Sequence, residues 1–121
     1  MGARLKKHVI PKMSSREFEN LLIETGACFR AKQFCKEKTL QNAWAKCTNP
    51  SWMTWLLARM RWRLASGWPT GPQADMLDRK VDRVGLQAYN KTYRETKSYV
   101  KAEAAQCKAM CDVYREYITF E

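Results

Sequence analysis

Apolar residues recur at alternating steps of three and four along the last third of the chain, and this spacing constrains the fold more than any other feature. Such spacing places side chains on one face of an α-helix. The stripe comprises Tyr93, Val100, Ala104, Cys107, Cys111, Tyr114 and Ile118, with Lys97 as its one polar member. No proline follows Pro72, so nothing forces a break in this helix. Asp75 caps a preceding helix, which either joins the stripe across Asn90 or stops there.

The first predicted helix begins at Ser14 or Ser15 and runs to Lys36. Ser14 and Glu17 have the spacing of a capping box, in which the hydroxyl accepts from a free N–H and the carboxylate accepts from the cap. Gly26 interrupts the apolar stripe that follows. Because the periodicity continues beyond it, we expect Gly26 to permit close packing rather than to end the helix.

Two further helices have clear start signals. Thr39 is placed to cap a short helix that ends near Cys47. Asn49 followed by Pro50 predicts the start of a longer helix that extends to about Ser66, because proline lacks only an N–H that would be unbonded in the first turn.

The resulting prediction is an all-α protein, a compact single-domain bundle of four to five helices. No segment shows sustained strand alternation, and no Asn-Gly or Asp-Gly hairpin signal is present. The bundle spans residues 14–121, with a Gly/Pro loop at 66–74. Residues 1–13 form a basic arm, either mobile or lying across the bundle.

The predicted third helix has apolar residues on two sides. Its aliphatic arc, roughly 100° wide, consists of Met53, Leu56, Leu57, Met60 and Leu64. Its second arc, roughly 80° wide, consists of Trp52, Trp55 and Trp62. Arg59 lies within the tryptophan arc, Arg63 between the arcs and Arg61 away from both. The tryptophans are either core of the bundle, with arginines extending from it, or an exposed interaction surface.

The charge of the chain is strongly asymmetric. Its formal net charge is +10, and residues 1–66 carry 13 Lys/Arg against 4 Asp/Glu, which is 13 − 4 = +9. A field of one sign attracts anionic partners, such as an acidic protein surface or nucleic acid. Arg and Trp are also enriched at binding hot spots. The predicted partner-binding residues are Arg4, Lys6, Lys7, Lys12, Arg59, Arg61 and Arg63.

The five cysteines indicate reduced thiols rather than a disulfide framework. Their number is odd, no apolar segment of a secretion signal follows the basic N-terminus, and the spacing of Cys107 and Cys111 supplies only two of four zinc ligands. No apolar run approaches the roughly 20 residues that span a bilayer. We therefore expect a cytoplasmic protein without a bound metal or cofactor and without membrane contact.

No arrangement typical of an enzyme is present in the sequence. The five glycines are scattered, no phosphate-binding loop occurs, and the single histidine, His8, lies in the basic arm. Asp75, Asp78 and Asp82 have the spacing of a solvated first turn of a helix. We therefore expect a binding protein rather than a catalyst.

The segment from Ala43 to Leu56 carries a pattern of tryptophan, cysteine and small residues. The pattern AW-x2-C-x4-WM-x-WL resembles small all-helical proteins of phages, prophages and bacteria that are often labelled immunity proteins. The segments Gly26–Ala31 and Ala104–Arg115 are similar to the other helices of that family. The resemblance covers roughly residues 18–65 and 101–118, and it implies a helical protein of phage–host conflict in a bacterial cytoplasm. It carries over no catalytic residue.

This pattern is typical of residues that pack between helices. The predicted structural core includes Trp44, Cys47, Trp52, Trp55, Leu56, Cys107 and Cys111. The leading functional hypothesis is a stoichiometric inhibitor that occludes a protein target, such as an anti-defence inhibitor of the anti-CRISPR type or a toxin immunity protein. The alternative is a nucleic-acid-binding protein that uses its basic first half on phosphates. The oligomeric state is left open by the sequence.

Overall fold

The computed structural model describes residues 4–63 and 65–121. In these ranges the chain forms six helices and two short strands, and the all-α fold class is confirmed. The elements in chain order are β1 (His8–Ile10), α1 (Ser15–Thr25), α2 (Phe29–Cys35), α3 (Leu40–Lys46), α4 (Pro50–Trp62), α5 (Gly71–Thr96), α6 (Tyr99–Tyr117) and β2 (Ile118–Phe120).

The predicted first helix is in fact two helices, which raises the helix number to six. The capping box is present, since the Ser14 hydroxyl accepts from the Glu17 N–H at 3.1 Å and the Glu17 carboxylate accepts from the Ser14 N–H at 3.3 Å. Gly26, however, adopts φ 76° and ends α1. The expectation that Gly26 only permits close packing was wrong, because glycine enters the left-handed region without the steric cost that Cβ imposes.

The start signals of α3 and α4 work as predicted. The Thr39 hydroxyl accepts from the Asn42 N–H at 3.2 Å, and the Asn49 side chain accepts from the Ser51 N–H at 3.0 Å. Pro50 occupies the first turn of α4. Helix α4 ends at Trp62, four residues earlier than Ser66. Leu64, the last member of the predicted aliphatic arc, lies outside the described residues.

Helices α5 and α6 form a long antiparallel hairpin. Helix α5 begins at Gly71, so the predicted Gly/Pro loop is shorter than 66–74, because Pro72 is tolerated in a first helical turn. The chain reverses at Lys97, which has φ 54°, and not at Asn90. Ser98 then caps α6 by accepting from the Lys101 N–H at 3.2 Å.

The far end of this hairpin is exposed, which corrects the predicted apolar stripe. No buried residue of α5 lies beyond Gly85, and Val100 of α6 is 78% exposed. Cys107 is only partly buried, so its assignment to the core was wrong, whereas Cys111 is fully buried. Ala102, near the start of α6 and outside the predicted stripe, is 0% exposed, so the stripe does not mark the buried face at this end of the hairpin.

The basic arm lies across the bundle as a strand. Strand β1 pairs in parallel with β2, with His8 opposite Ile118 and Ile10 opposite Phe120. Ile10 is 1% exposed and belongs to the core. Upstream, Gln73 holds the arm by accepting from the Lys6 N–H at 2.7 Å and donating to the Arg4 carbonyl at 2.8 Å. Of the two arrangements considered for the arm, residues 4–13 adopt the packed one.

The core lies where α1, α3, α4 and the near half of the α5–α6 hairpin meet. Polar contacts fix the register of the three long helices there. The Tyr114 hydroxyl of α6 lies 2.7 Å from the Thr54 hydroxyl of α4 and donates to Asp78 of α5 at 3.2 Å. Tyr114 is 1% exposed, and its burial raises the pKa of the phenol above its usual value.

Candidate protein-binding face

The two apolar arcs of α4 face different environments. The described members of the aliphatic arc are buried, namely Met53, Leu56, Leu57 and Met60. The tryptophan arc lies at the edge of the core: Trp52 and Trp55 are half-buried, and Trp62 is 84% exposed. Leu56 is therefore core as predicted, whereas Trp52 and Trp55 only border it.

Residues Trp52, Trp55, Arg59 and Trp62 follow one another at helical steps of three and four, and we call them the α4 stripe. The Arg59 guanidinium carbon lies 5.3 Å from the ring centroid of Trp55, a cation–π distance. Trp52 contacts Phe34 of α2, with ring centroids 5.7 Å apart. The stripe thus begins against α2 and leaves the body of the protein at Trp62.

An apolar pocket opens beside the buried end of the stripe. Its volume is about 330 Å³, at the lower end of the range of small-molecule sites. No Lys, Arg, Asp or Glu side chain lines it among the residues that the structure describes. Residues of α1 to α4 and their connections form its walls, including Phe18, Leu22, Cys28, Ala31, Phe34, Cys35, Trp44, Cys47, Trp52 and Trp55.

Exposed cations lie on α2 and directly after it, and two of them, Lys32 and Lys36, line a separate depression together with Glu19 and Glu37. Arg30, Lys32 and Lys36 are exposed, and none of them forms an ion pair with a described residue. Lys38 differs, because its ammonium donates to the Phe34 carbonyl and lies 4.8 Å from the Phe34 ring. These cations lie outside the lining of the apolar pocket.

The predicted arginine cluster is divided by ion pairs. Arg61 binds Asp75 at 3.4 Å and Arg63 binds Glu24 at 3.1 Å, both at the surface. Arg59 has no carboxylate partner among the described residues and remains beside the tryptophans. Of the three arginines, Arg59 therefore has the strongest claim to a partner contact.

The cations of the arm are exposed but lie on another element. Arg4, Lys6, Lys7 and Lys12 all face solvent along and beside β1. The backbone of the arm is held by Gln73 and by pairing with β2. The structure therefore presents these four cations from a fixed strand rather than from a flexible tail.

Trp44 lies between the pocket and the core. Its ring packs edge-on against Trp68, Tyr114 and Phe120, with centroids 6.0, 6.1 and 6.2 Å away. It is 5% exposed, and its indole N–H has no hydrogen-bond acceptor among the described residues. A buried donor without an acceptor costs free energy. Trp44 is thus core, as predicted, and part of its side chain also forms the pocket wall.

Two buried thiols meet at the base of the pocket. Cys47, the C-cap residue of α3, donates its thiol hydrogen to the Asn49 carbonyl, with sulfur and oxygen 3.3 Å apart, and Cys111 of α6 lies near it. The neighbouring Cys111 thiol lowers the pKa of Cys47 to about 7, with the Asn49 backbone and Arg115 acting in the same direction against burial. The neighbouring Cys47 thiol and burial raise the pKa of Cys111.

Arg115 holds the end of α3 in place above this pair. Its guanidinium donates to the Cys47 carbonyl at 2.7 Å and to the Trp44 carbonyl at 3.2 Å. It also binds Asp112 at 3.0 Å on its own helix. Carbonyls at a helix C-terminus lack intrahelical donors, so this arginine satisfies two of them.

Sequence reasoning identified the tryptophans but missed the pocket. Phe34, Cys35 and Ala31 form one of its walls, and they come from a helix that the sequence assigned to the end of α1. Only the left-handed turn at Gly26 folds α2 back towards α4. A Gly at the end of an apolar run was the available signal.

Comparison with known proteins gives no match: no family model, no curated protein and no solved structure is similar to this chain. The resemblance to phage and bacterial immunity proteins therefore stays a prediction. Within residues 4–63 and 65–121, no helix is long and apolar enough to cross a membrane. In the same ranges, no group of three or more His, Cys, Asp or Glu side chains is arranged to hold a metal ion.

Proposed function

We propose that this protein is a non-enzymatic, stoichiometric binder of another protein, and that the α4 stripe with the adjoining pocket is its binding face. The partner presents a bulky apolar side chain to the pocket and acidic side chains to Arg59 and the exposed Arg30 of α2. In keeping with the family resemblance, the proposed role is inhibition in conflict between phages and bacteria, either of a host defence component or of a toxin.

The observation that carries this proposal is the exposure of Trp62. An indole that is 84% exposed lacks the favourable free energy that burial would supply. Trp52 and Trp55, on the same side of α4, lie between this indole and the apolar pocket. Arg59 lies beside the same indoles. Aromatic anchors flanked by arginine are typical of the centre of protein interfaces.

The chemistry of the partner follows from the surroundings of the stripe. The exposed cation Arg30 lies on α2, which forms one wall of the pocket, and Arg59 lies beside the Trp55 indole of the α4 stripe. They favour carboxylates at the edge of the interface, where charge steers association and sets specificity more than affinity. An amphipathic acidic helix fits both requirements, since its apolar side chains at helical spacing enter a groove.

Selection from a displayed library of random peptides tests this chemistry without knowledge of the natural partner. The expected consensus combines Asp or Glu with Leu, Phe or Trp at steps of three and four. Binding of the selected peptides, measured by fluorescence anisotropy, is expected to weaken at least about tenfold in Arg59→Glu/Trp62→Ala, the range of hot-spot changes. A consensus without acidic residues, or without a bulky apolar residue, contradicts the proposal.

A matched variant controls for charge and aromatic content. Arg94→Glu/Tyr99→Ala makes the same kinds of change on the far end of the α5–α6 hairpin, where Tyr99 is 64% exposed. This control is expected to bind the selected peptides like the wild type. Equal losses in both variants would mean that net charge, and not the α4 stripe, governs binding.

The alternative of nucleic-acid binding has less support from the fold. If α3 and α4 formed a helix–turn–helix, the first turn of α4 would enter the major groove of DNA. In this turn, however, Pro50 and Met53 are buried, and the Thr54 hydroxyl is hydrogen-bonded to Tyr114. Phosphate binding by the basic first half does not need such a helix. Binding of a labelled duplex that is stronger than peptide binding and falls steeply with salt would favour this alternative.

A further inference from the structure

We propose that the far end of the α5–α6 hairpin, residues 86–104, which we call the tip, binds single-stranded nucleic acid. Helix α4 and the arm contact the hairpin at its opposite end, through Asp75 and Gln73. Tyr93 lies fifteen residues beyond Asp78 along α5, which places it about 22 Å along the helix from the contact that Asp78 makes with Tyr114. The tip is therefore separate from the α4 stripe, and the proposal does not depend on the proposed protein-binding function.

Three tyrosine rings form one stack across the two helices of the tip. The centroid of the Tyr93 ring lies 6.5 Å from that of Tyr89 and 4.8 Å from that of Tyr99, with interplanar angles of 13° and 23°. The Tyr93 hydroxyl also donates to the Tyr99 hydroxyl at 3.4 Å, which helps to orient the two rings. Tyr99 is 64% exposed although Tyr93 covers one of its faces, so its outer face is open to solvent. The stack thus ends in an aromatic surface on which another planar ring can lie.

Two further large apolar side chains are exposed on the tip. Leu86 is 55% exposed and Val100 is 78% exposed. No buried residue of α5 lies beyond Gly85, so packing against the shorter helices does not account for apolar residues at this end of the hairpin. Exposed apolar side chains that occur together mark interaction sites on protein surfaces. The tip therefore has the composition of a binding surface.

The charge of the tip favours an anionic partner. Residues 86–104 contain four Lys or Arg against two Glu. Lys91, Arg94 and Lys101 are exposed, and none of them forms an ion pair with a described residue. The Lys97 ammonium lies 5.6 Å from the Tyr93 ring centroid, so a cation accompanies the stack itself. A second copy of the chain would bring like charges together at this surface, whereas a polyanion would pair with them.

Aromatic rings combined with cations match the chemistry of a single strand. Unpaired bases stack on aromatic side chains whatever their sequence, and the phosphates between them bind Lys and Arg. Bases in a duplex already stack on one another and present only their edges in the grooves. An acidic peptide would satisfy the cations but would leave the outer face of Tyr99 without a planar partner. The open aromatic face therefore favours unpaired bases over a duplex and over an acidic peptide.

The test measures binding of a fluorescein-labelled oligothymidylate of about twelve nucleotides by fluorescence anisotropy. Loss of one aromatic side chain on which a base stacks weakens binding at least about fivefold. We therefore expect Tyr99→Ala to weaken binding by this factor or more, and Tyr99→Phe, which keeps the ring, to bind within about twofold of the wild type. Phe29→Ala is the matched control, because Phe29 is 70% exposed on α2, and its loss is expected to leave binding unchanged.

Two charge variants test the contribution of the cations. Each phosphate contact with a single strand adds about −0.7 to the slope of log affinity against log salt concentration. The four cations of the tip predict a slope of about −3, and Arg94→Ala/Lys101→Ala is expected to make it less steep by about 1.4. Arg30→Ala/Lys32→Ala removes the same charge from α2 and is expected to leave the slope unchanged. Circular dichroism and thermal unfolding establish that all variants keep the fold.

The proposal is overturned if the oligothymidylate does not bind, if a duplex of the same length binds more tightly, or if Tyr99→Ala and Phe29→Ala weaken binding equally. Sedimentation that shows a dimer of the wild type and a monomer of Tyr99→Ala, without oligonucleotide binding, would instead assign the tip to self-association. Displacement of the tip from its role by an acidic peptide that binds there, again without oligonucleotide binding, would assign it to a protein partner.

One more variant separates this proposal from the protein-binding function. Trp62→Ala changes the α4 stripe and is expected to bind the oligothymidylate like the wild type, whatever the outcome of the peptide selection. Loss of oligonucleotide binding in Trp62→Ala but not in Tyr99→Ala would place the nucleic acid on the α4 stripe and overturn the assignment to the tip.

Discussion

Replacing Arg115 by methionine tests whether this side chain secures the end of α3 and hence the base of the pocket. The guanidinium donates to two backbone carbonyls, of Cys47 at 2.7 Å and of Trp44 at 3.2 Å. Hydrogen bonds that involve a charged group contribute about 1.5–3 kcal/mol each, and a carbonyl left buried without a donor costs free energy. Because the Arg115 side chain is 26% exposed and water can replace part of what it supplies, we expect Arg115→Met to lower the free energy of unfolding by about 3 kcal/mol.

A neighbouring lysine provides the matched control. Lys108 binds the same Asp112 carboxylate at 2.7 Å as Arg115 binds at 3.0 Å, but Lys108 is 77% exposed and touches no carbonyl of α3. Such surface ion pairs contribute less than about 1 kcal/mol, so Lys108→Met is expected to have little effect. Urea unfolding followed by circular dichroism measures both variants. A loss below about 1 kcal/mol for Arg115→Met, or equal losses for both, would refute the reasoning.

Three further changes have defined expected results. Gly67→Ala should lower the free energy of unfolding, measured in urea, by about 2–4 kcal/mol. The cause is that Gly67 has φ +85° and that an added Cβ would lie 2.6 Å from the Val9 carbonyl oxygen. Amide hydrogen exchange in β1 should become faster in the same variant. Tyr114→Phe removes a buried hydroxyl that donates to Asp78 and should cost about 1–2 kcal/mol, whereas an unchanged urea midpoint would contradict the hydrogen-bond assignment. The pKa of Cys47 falls from 9.0 to about 7 on folding, so the native state binds fewer protons and stability should rise from pH 7 to about 8. Nearer pH 9 the raised pKa values of Cys35 and Cys111 act in the opposite direction. Cys47→Ser should remove the rise.

The starts of α1, α3 and α4 were predictable because their causes are local, whereas α5 begins at Gly71 and not after the predicted cap Asp75, and the start of α2 was missed. Ser14 and Glu17 form the expected capping box, and Asn49 with Pro50 starts α4 where the sequence places it. Each signal depends on backbone donors within one turn, so a few adjacent residues suffice to determine it. The all-α class follows for the same reason, since helical spacing recurs in every long segment.

Strand pairing in the arm was not predictable from the sequence. Strands of three residues are too short to show alternation, and β1 pairs with β2 from the opposite end of the chain. Ile10 of β1 is buried only because the helices bring the two strands side by side. The sequence therefore allowed both a mobile arm and a packed one.

The candidate site, too, was predictable from the sequence only in part. The sequence by itself determined that Trp52, Trp55, Arg59 and Trp62 share one side of α4, because a helix fixes the angle between successive residues. Only the tertiary structure decided that this side borders a pocket at one end and faces solvent at the other. That outcome depends on where α2 turns back at Gly26 and on which helices reach α4. Helical spacing fixes directions within one element, whereas exposure depends on what the rest of the chain leaves uncovered.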